Sequence, residues 1–311
     1  MLLNKKRILL IGSNGLLGSQ LYLKSSYFSE FLGTHYKTVS NSNSVFLDVT
    51  DIDSVYSLVL EFKPNVIINC SAYTNVDKAE LNKKNVRDVN VLGLQNIIKS
   101  SSIDTKIVHI SSDYVFDGEK GDYKESDPTH PVNYYGKTKL ESENILKGAN
   151  RSFIIYRPNV LYSDDINSLS FLSWVLKSLK NNKEIKVVDD QISNPTYIAD
   201  FVDVILDSLL MGYEGVLHIG SEDSLSRYQF ALKIANVFGF GKQYNDNIIP
   251  IKTKSLNQLA ERPKKSNLNC DKIVQDLNFS LKTTNYYLKK IASINGMRYH
   301  PLPTNPPNTN K

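Results

Sequence analysis

A glycine-spaced turn close to the N-terminus constrains the fold more than any other feature of the sequence. The apolar run at residues 8–11 leads into Gly12-Ser13-Asn14-Gly15-Leu16-Leu17-Gly18, and a helix-like segment follows over residues 16–27. Glycines permit a tight turn and let the backbone approach a pyrophosphate, which then sits at the start of the helix. The context of strand, GxxGxxG and helix predicts a dinucleotide-binding fold, and a ligand-free turn is the alternative.

Strand-like and helix-like segments alternate through the first half of the chain. Strands are predicted at residues 66–69, 106–110 and 153–156, and helices at residues 86–99 and 135–146. This alternation predicts an α/β fold, a Rossmann-type doubly wound sheet of parallel strands covered on both faces.

Regularity falls after Arg157-Pro158, where a smaller C-terminal α/β substrate lobe is predicted. Its predicted helices are 171–179 and 227–238, and its predicted strands are 185–188 and 216–219. We expect residues 1–160 to form the dinucleotide-binding domain, completed by segments near 195–222, and residues 161–298 to form mainly the substrate-binding lobe. The Pro- and Asn-rich residues 299–311 are expected to be a disordered tail.

Composition argues against several classes of protein. The formal net charge is only +5 and is spread along the chain, so no nucleic-acid partner is expected. Two distant cysteines, Cys70 and Cys270, indicate neither a disulfide framework nor a zinc site, and Cys70 is predicted to be a buried structural thiol. No apolar stretch is long enough for a signal-peptide core or a membrane span, so a cytoplasmic protein without a membrane partner is expected.

The end of the second strand bears on which nicotinamide cofactor binds. This strand, near residues 31–36, leads to Lys37, and the acidic residue that usually binds the ribose of NAD is missing there. Lys37 can pair with a 2′-phosphate, which favours NADPH, with NADH possible; a solvated surface charge is the alternative. Asp48, with Val49 beside it, is a candidate for the adenine amino group, or else a helix cap in competition with Asp51.

A tyrosine, a lysine and a serine form the candidate catalytic set. Tyr135 and Lys139 are four residues apart and share one face of the predicted helix. A nearby ammonium and the oxidised nicotinamide favour the phenolate and are expected to lower the pKa of Tyr135. Ser112 follows the strand at 106–110, at the strand ends where open α/β sheets bind ligands, and can hold a substrate carbonyl. An exposed helical pair is the alternative for YxxxK alone.

With these features in place, the chain resembles the extended short-chain dehydrogenases/reductases, and in particular the dTDP-4-dehydrorhamnose reductase family. The resemblance covers residues 7–275. It is carried by residues 66–80 (NxxAYTxVDxAE in the family), 109–118 (STDYVFDG, with Ser112 where the family usually has Thr), 131–141 (PxNxYGxSKxxxE), 190–196 (DQxGxPT), and Arg262-Pro263 with Ser266 and Leu268 (RPxxSxL).

The resemblance implies roles for individual residues. Tyr135 is implied to be the proton donor with Lys139 as its partner, and Ser112 and Asp113 are implied to contact the sugar. The residues implied to line the cofactor, beside the glycines, are Ser13, Leu16, Leu17, Asp48, Val49, Ser71, Ala72 and Tyr73. Those implied to face the nucleotide-sugar side are Gln191, Asn194 and Arg262.

Two departures from the family pattern limit what is carried over. The family's Trp after the strand that ends at Arg157 is absent from Pro158-Asn159-Val160-Leu161-Tyr162, which leaves the sugar and its stereochemistry open; Trp174 is expected to be a packing residue instead. Family members can use magnesium at a dimer interface, but no matching acidic residues are found and no metal is predicted.

The sequence predicts an NADPH-dependent reductase of the 4-keto group of a nucleotide-linked 4-keto-6-deoxyhexose, which makes a deoxysugar donor for polysaccharide. The expected partner is the nucleotide-sugar substrate, and a homodimer is a family expectation. Two alternatives stay open: a non-catalytic regulatory subunit of the methionine adenosyltransferase beta type, and a sugar-nucleotide 4-epimerase.

Overall fold

A computed structural model describes residues 6–37, 44–241 and 246–296. Its strands are β1 (Arg7–Ile11), β2 (Glu30–His35), β3 (Ser44–Phe46), β4 (Val66–Asn69), β5 (Lys106–Ile110), β6 (Phe153–Pro158), β7 (Leu161–Tyr162), β8 (Ile185–Val188), β9 (Ile192–Ser193), β10 (Thr196–Tyr197), β11 (Gly215–Ile219), β12 (Leu225–Ser226) and β13 (Ile248–Ile251). Its helices are α1 (Leu16–Tyr22), α2 (Ile52–Phe62), α3 (Val76–Leu81), α4 (Lys83–Arg87), α5 (Gly93–Ser100), α6 (Tyr134–Lys147), α7 (Phe171–Lys180), α8 (Ile198–Leu210), α9 (Arg227–Val237), α10 (Asp271–Leu277) and α11 (Thr284–Ile294).

A seven-stranded sheet forms the centre of the molecule, in the order β11-β6-β5-β4-β1-β2-β3. Every neighbouring pair in it is parallel. The strands at its centre are buried on both faces, as in Val66–Asn69, because each strand is a continuous apolar run that helices cover from both sides. The predicted α/β fold with a Rossmann-type parallel sheet is confirmed.

Two apolar cores lie on the two faces of this sheet. On one face α1 and α8 pack through side chains such as Leu21 and Phe201. On the other face α2, α5 and α6 pack through side chains such as Val55, Ile97 and Leu146. Helices on both faces keep the carboxyl ends of the strands free at one edge, where ligands bind in folds of this kind.

A third core joins α7, α9 and α11 in the C-terminal half, with β8 and β13 paired beside it. The chain reaches this half only after β6, yet β11 returns to the central sheet and pairs with β6. The division into residues 1–160 with 195–222, and 161–298, stays a prediction, and residues 299–311 lie outside the described residues. Among the described residues, no helix has the length and apolar character to cross a bilayer.

Two predicted helices differ from those observed. The helix predicted at 16–27 ends as α1 at Tyr22, because the chain tightens there: Lys24 donates to the carbonyl of Leu21, and a short 3₁₀ turn follows at Ser25–Tyr27. The helix predicted at 86–99 is continuous but contains a π turn, Asp88–Leu92, between α4 and α5. Apolar spacing does not distinguish a π turn from a regular one, so the sequence gives no sign of it.

Candidate active site

The glycine turn between β1 and α1 is built by close backbone contacts. Gly12 has a φ of 84°, a left-handed conformation that favours glycine. A Cβ on Gly18 would clash with the carbonyl oxygen of Gly12, so helix and turn pack at a distance that only glycine allows. Ser13 lies fully buried behind the turn and donates its backbone N–H and its hydroxyl to the carbonyl of Thr34, at 2.8 and 2.9 Å. The turn is thereby fixed to β2.

A cavity of about 570 Å³ opens beside this turn, at the carboxyl ends of β1, β4, β5 and β6. The residues in its wall are Asn14, Gly15, Leu16, Leu17, Gly18, Cys70, Ala72, Thr74, Val76, Ile110, Ser111, Ser112, Asp113, Tyr114, Tyr135, Lys139, Pro158, Asn159, Val160, Leu161, Leu169 and Arg227. The cavity therefore contains part of the predicted cofactor turn and all three predicted catalytic side chains.

Tyr135 reaches the cavity because α6 packs tightly on the turn after β5. Asn133 caps α6 by accepting from the backbone N–H of Gly136 at 2.8 Å. A Cβ on Gly136 would clash with the carbonyl oxygen of Tyr114, so the helix start lies directly against the turn that holds Ser112. The Ser112 hydroxyl accepts from Tyr114 N–H at 3.1 Å and donates to the Asp113 carboxylate at 2.9 Å.

Lys139 lies one helical turn beyond Tyr135 and is almost fully buried. Its ammonium donates to the carbonyl of Ile110 at 2.7 Å and lies 6.0 Å from the centre of the Tyr135 ring. Burial lowers the pKa of Lys139 to about 8, although the Glu143 carboxylate opposes the change. Lys139 therefore stays an ammonium at neutral pH and loses its proton above about pH 8.

Burial raises the pKa of Tyr135, and the Asp113 carboxylate adds to the rise. The protein's own groups therefore do not produce the expected lowering of this pKa, because desolvation of the phenolate dominates. Burial also raises the pKa of Asp113 to about 6, against hydrogen bonds from Ser266 and Ser112. At neutral pH the Tyr135 phenol is protonated, as a proton donor needs to be.

A buried ion pair between Glu143 and Arg157 lies close to Lys139. Glu143 and Arg157 are both almost fully buried, and Arg157 donates to the two carboxylate oxygens at 2.8 and 2.6 Å. The hydroxyl of Ser111 donates to the same carboxylate at 2.6 Å. Although burial opposes ionisation, Arg157 lowers the pKa of Glu143 to about 2. Sequence reasoning missed Glu143, but its spacing of four from Lys139 placed it on the same helix face.

The remaining predicted cofactor residues lie around the cavity, and only Ala72 is in its wall. Ser71 donates to the side chain of Asn69, and Tyr73 is held by Asn90, whose side chain accepts from its backbone N–H at 2.7 Å. Lys37 is exposed at the end of β2, 5.7 Å from the centre of the Tyr36 ring.

Asp48 and Val49 lie after β3, outside the cavity wall. Asp48 accepts from the backbone and hydroxyl of Thr50 at 2.9 and 2.7 Å. Asp51, and not Asp48, caps α2 by accepting from Asp53 N–H at 3.1 Å. Val49 is buried against Gly93 of α5, and the Val49 side chain leaves no room for a Cβ on residue 93.

Three predicted substrate residues are not brought to the cavity. Asn194 is buried in a backbone network, and its amide bonds both the N–H and the carbonyl of Leu268 at 3.0 Å. Gln191 donates to the hydroxyl of Thr253 at 3.1 Å, and Arg262 donates to Asp77 at 2.8 Å. That these three side chains face the substrate stays a prediction, although the side-chain amide of Asn194 is already engaged inside the fold.

Three side chains differ from expectation or were missed. Cys70, predicted to be a buried structural thiol, is half-buried and forms part of the cavity wall. Trp174 is 45% exposed on α7, and its ring lies 5.5 Å from the centre of the Phe171 ring. Arg227, at the start of α9, lies in the cavity wall, and no sequence motif marks it. Among the residues that the structure describes, no cluster of three or more His, Cys, Asp or Glu side chains is suited to a metal ion.

A glycine turn at the carboxyl edge of a Rossmann sheet, with Ser, Tyr and Lys converging beside it, defines a nicotinamide-dependent oxidoreductase of the short-chain dehydrogenase/reductase class. The family model described as RmlD substrate binding domain matches residues 6–295. The chain belongs to this family, that of the dTDP-4-dehydrorhamnose reductases, as the sequence resemblance predicted.

Relatives and solved structures agree with this assignment. A dTDP-4-dehydrorhamnose reductase from Aggregatibacter actinomycetemcomitans is 36% identical over 282 residues, 86% of this chain and 92% of the relative. Methionine adenosyltransferase 2 subunit beta of Mus musculus is 30% identical over 86% of this chain and 81% of the relative. The crystal structure of a Bacillus anthracis dTDP-4-dehydrorhamnose reductase in complex with NADP superposes with a TM-score of 0.82 at 29% identity, over 93% of this chain and 99% of that one.

Proposed function

We propose that this protein reduces the 4-keto group of a nucleotide-linked 4-keto-6-deoxyhexose with NADPH, as a dTDP-4-dehydrorhamnose reductase does. The observation that carries the proposal is the convergence of Ser112, Tyr135 and Lys139 on the cavity that the glycine turn borders. A hydroxyl, a protonated phenol and an ammonium in one cavity are the groups that carbonyl reduction requires of the protein.

The glycine turn fits the pyrophosphate of NADPH. Neighbouring backbone atoms leave no room for a side chain at Gly18 and little at Gly12, and residues Asn14 to Gly18 lie in the cavity wall, where a pyrophosphate can approach the backbone. We assign the 2′-phosphate to Lys37, which is exposed at the end of β2. When bound, NADPH supplies the hydride that reaches the carbonyl carbon.

The chain's own residues then handle the oxygen and the proton. On substrate binding, the Ser112 hydroxyl turns its proton from the Asp113 carboxylate to the carbonyl oxygen and holds that oxygen near Tyr135. Tyr135 gives its phenolic proton to that oxygen, which becomes the alcohol as the carbon gains hydride. The Lys139 ammonium, 6.0 Å from the ring centre, stabilises the phenolate left behind. General-acid catalysis of this kind contributes about 10²–10⁴ in rate.

The experiment that tests the proposal follows NADPH absorbance with purified protein and dTDP-4-keto-6-deoxyglucose, with and without a 3,5-epimerase. Decay that depends on the epimerase supports reduction of dTDP-4-dehydrorhamnose. Decay without the epimerase shows reduction of the unepimerised sugar. No decay in either arm, combined with interconversion of the two C4 epimers of a nucleotide sugar that carries a C4 hydroxyl, identifies a 4-epimerase, because an epimerase regenerates its cofactor.

A second candidate function has one specific observation in its favour, the 30% identity to the mouse methionine adenosyltransferase 2 subunit beta. A regulatory subunit of this type needs its partner enzyme for any effect, whereas a reductase turns over alone. Turnover of the keto sugar by the isolated chain therefore excludes a purely regulatory role. Failure to turn over, combined with altered kinetics of an added methionine adenosyltransferase, supports the second candidate.

The proposal also covers the protein's cellular location, its partner and its oligomeric state. We place the reaction in the cytoplasm, where NADPH and nucleotide sugars are made, with the nucleotide sugar as its partner. We also expect a homodimer, as in the family. Light scattering during size-exclusion chromatography tests the dimer, with masses of about 35 and 70 kDa to be distinguished for the 35.2 kDa chain.

A further inference from the structure

Two arginines lie close to the substrate side of the cavity, and their surroundings differ. Arg262 is held in an ion pair with Asp77 at 2.8 Å and also donates to the carbonyl of Ala260 at 2.9 Å. Arg227 lies in the cavity wall, beside Asp113 and Tyr114. Among the described residues, no carboxylate forms an ion pair with Arg227. The arginine that motif reasoning assigned to the substrate is thus already paired, and the unassigned one faces the cavity.

The structure fixes Arg227 in place before any ligand binds. Ser226 caps α9 in a reciprocal arrangement with Gln229, at 3.0 and 2.9 Å. The backbone N–H of Arg227 donates to the carbonyl of Gln191 at 3.1 Å. Its guanidinium carbon lies 5.3 Å from the centre of the Phe171 ring, a cation–π distance. A side chain held at its backbone, its cap and its guanidinium loses little entropy when a ligand binds.

The charge of Arg227 is only partly compensated by the protein. Burial lowers the pKa of Arg227, and the nearby Tyr114 and Asp113 offset only part of this effect. The Asp113 carboxylate already accepts hydrogen bonds from Ser112 and Ser266, so it is only partly available to Arg227. A partly desolvated guanidinium with a weak partner gains most from an anionic ligand.

The division of the cavity indicates which anion this is. The glycine turn takes the cofactor and Tyr135 marks the reacting carbonyl, so the wall that contains Arg227, Val160 and Leu169 is left to the substrate. We propose that Arg227 binds the diphosphate of the nucleotide-sugar substrate and is a main determinant of affinity for its nucleotide carrier. The inference rests on the proposed function, because that function supplies the diphosphate. A planar guanidinium matches phosphate oxygens in a bidentate geometry that lysine lacks.

The test measures binding of dTDP and of thymidine, which lacks the diphosphate, to protein saturated with NADP. The signal is the fluorescence of Trp174, the single tryptophan, because it packs on the same Phe171 ring that lies under Arg227. We expect Arg227→Gln to weaken dTDP binding about 10- to 100-fold, the usual effect of losing a charged hydrogen bond, and to change thymidine binding less than about threefold. Arg227→Lys should recover part of the loss. The exposed Lys177→Gln on α7 removes the same charge as a control.

The outcomes separate this inference from the proposed function. The inference is overturned if Arg227→Gln prefers dTDP over thymidine as strongly as wild type does. It is also overturned if that preference is lost in Arg262→Gln but kept in Arg227→Gln. Arg227-dependent dTDP binding without NADPH consumption refutes the proposed reaction and leaves the diphosphate site standing. If turnover is present, Arg227→Gln is expected to raise KM for the nucleotide sugar about tenfold or more and to lower kcat less than about threefold.

Discussion

At the scale of single residues, the acid–base state of the site follows from burial more than from neighbouring charge. Desolvation raises the pKa of Tyr135 and lowers that of Lys139, so Tyr135 keeps its proton throughout the neutral range and Lys139 loses its proton above about pH 8. Both changes favour the neutral forms. A protonated Tyr135 suits carbonyl reduction, which consumes a proton at the oxygen, better than the reverse oxidation.

Tyr135→Phe removes that proton donor and little else. We expect kcat to fall about 10²- to 10⁴-fold, the usual share of general-acid catalysis. NADPH binding, measured by the change in its fluorescence, should stay within about threefold of wild type, because the ring still packs edge-on against Tyr114 at 6.0 Å. Full activity in Tyr135→Phe would contradict the mechanism.

The pKa of Lys139 predicts how activity responds to alkaline pH. Its folded-state pKa of about 8 lies below the ordinary lysine value, so the ammonium is present below pH 8 and is lost above it. Because the ammonium stabilises the Tyr135 phenolate, kcat/KM should fall about tenfold per pH unit above about pH 8. The measurement varies NADPH, since kcat/KM then reports the free enzyme. A flat profile up to pH 10 is inconsistent with this role, and Lys139→Met should lose the inflection.

At the scale of secondary-structure elements, the sequence predicts those with strong apolar patterns. The predicted helix at 135–146 is α6, Tyr134–Lys147, and the strand at 66–69 is β4. Elements without such patterns are not predicted. The two-residue strands β7, β9, β10 and β12 are too short for any alternation. The helix α8 was missed although Asp200, Asp203 and Asp207 recur at helical spacing along it, a signal that could have found it.

The glycine turn offers a matched pair of variants. Gly18→Ala places a Cβ against the carbonyl of Gly12 and should displace α1, lowering both the free energy of unfolding and NADPH affinity. Gly15→Ala meets the same oxygen at an ordinary 3.4 Å, so the fold should tolerate it. Gly15 lies in the cavity wall, where a new methyl group obstructs the pyrophosphate, so this variant should lose NADPH affinity alone. Thermal melts and NADPH titrations separate the two effects, and equal stability of both variants would contradict the packing argument.

The buried ion pair between Glu143 of α6 and Arg157 of β6 predicts that removing one partner alone lowers the free energy of unfolding. Arg157→Leu leaves Glu143 buried without its main partner and should lower the free energy of unfolding by about 3–5 kcal/mol. The double variant Glu143→Leu with Arg157→Leu should recover part of this loss. The folded-state pKa of Glu143, about 2, lies below its ordinary 4.5, so this stabilisation is present above pH 4.5 and is lost as pH falls toward 2. Chemical denaturation at several pH values measures it; an Arg157→Leu variant as stable as wild type would refute the estimate.

At the scale of the whole molecule, the candidate site combines segments that are distant in sequence. Motifs revealed the parts that follow strands in the first half, such as Ser112 and Tyr135, because strand ends and helix spacing are readable locally. Arg227 was not predictable, since a lone arginine in a helix pattern normally indicates a solvated face. Arg262 was assigned by its motif alone, and no sequence pattern shows that Asp77, 185 residues away, already neutralises it.

This arrangement predicts that ligands stabilise the molecule as one unit. The cavity wall includes Ser112 at the end of the central sheet and Arg227 of α9, which packs in the C-terminal core, so a bound ligand contacts both. NADPH at about 100 times its dissociation constant should add about 2.7 kcal/mol to the free energy of unfolding. Trp174 reports the C-terminal core and far-ultraviolet circular dichroism reports the whole chain, so the two melting transitions should coincide and should rise together with NADPH. Tyr135→Phe should keep this rise and Gly15→Ala should lose most of it. A Trp174 transition at a lower melting temperature, unchanged by NADPH, would show instead that the two halves unfold independently.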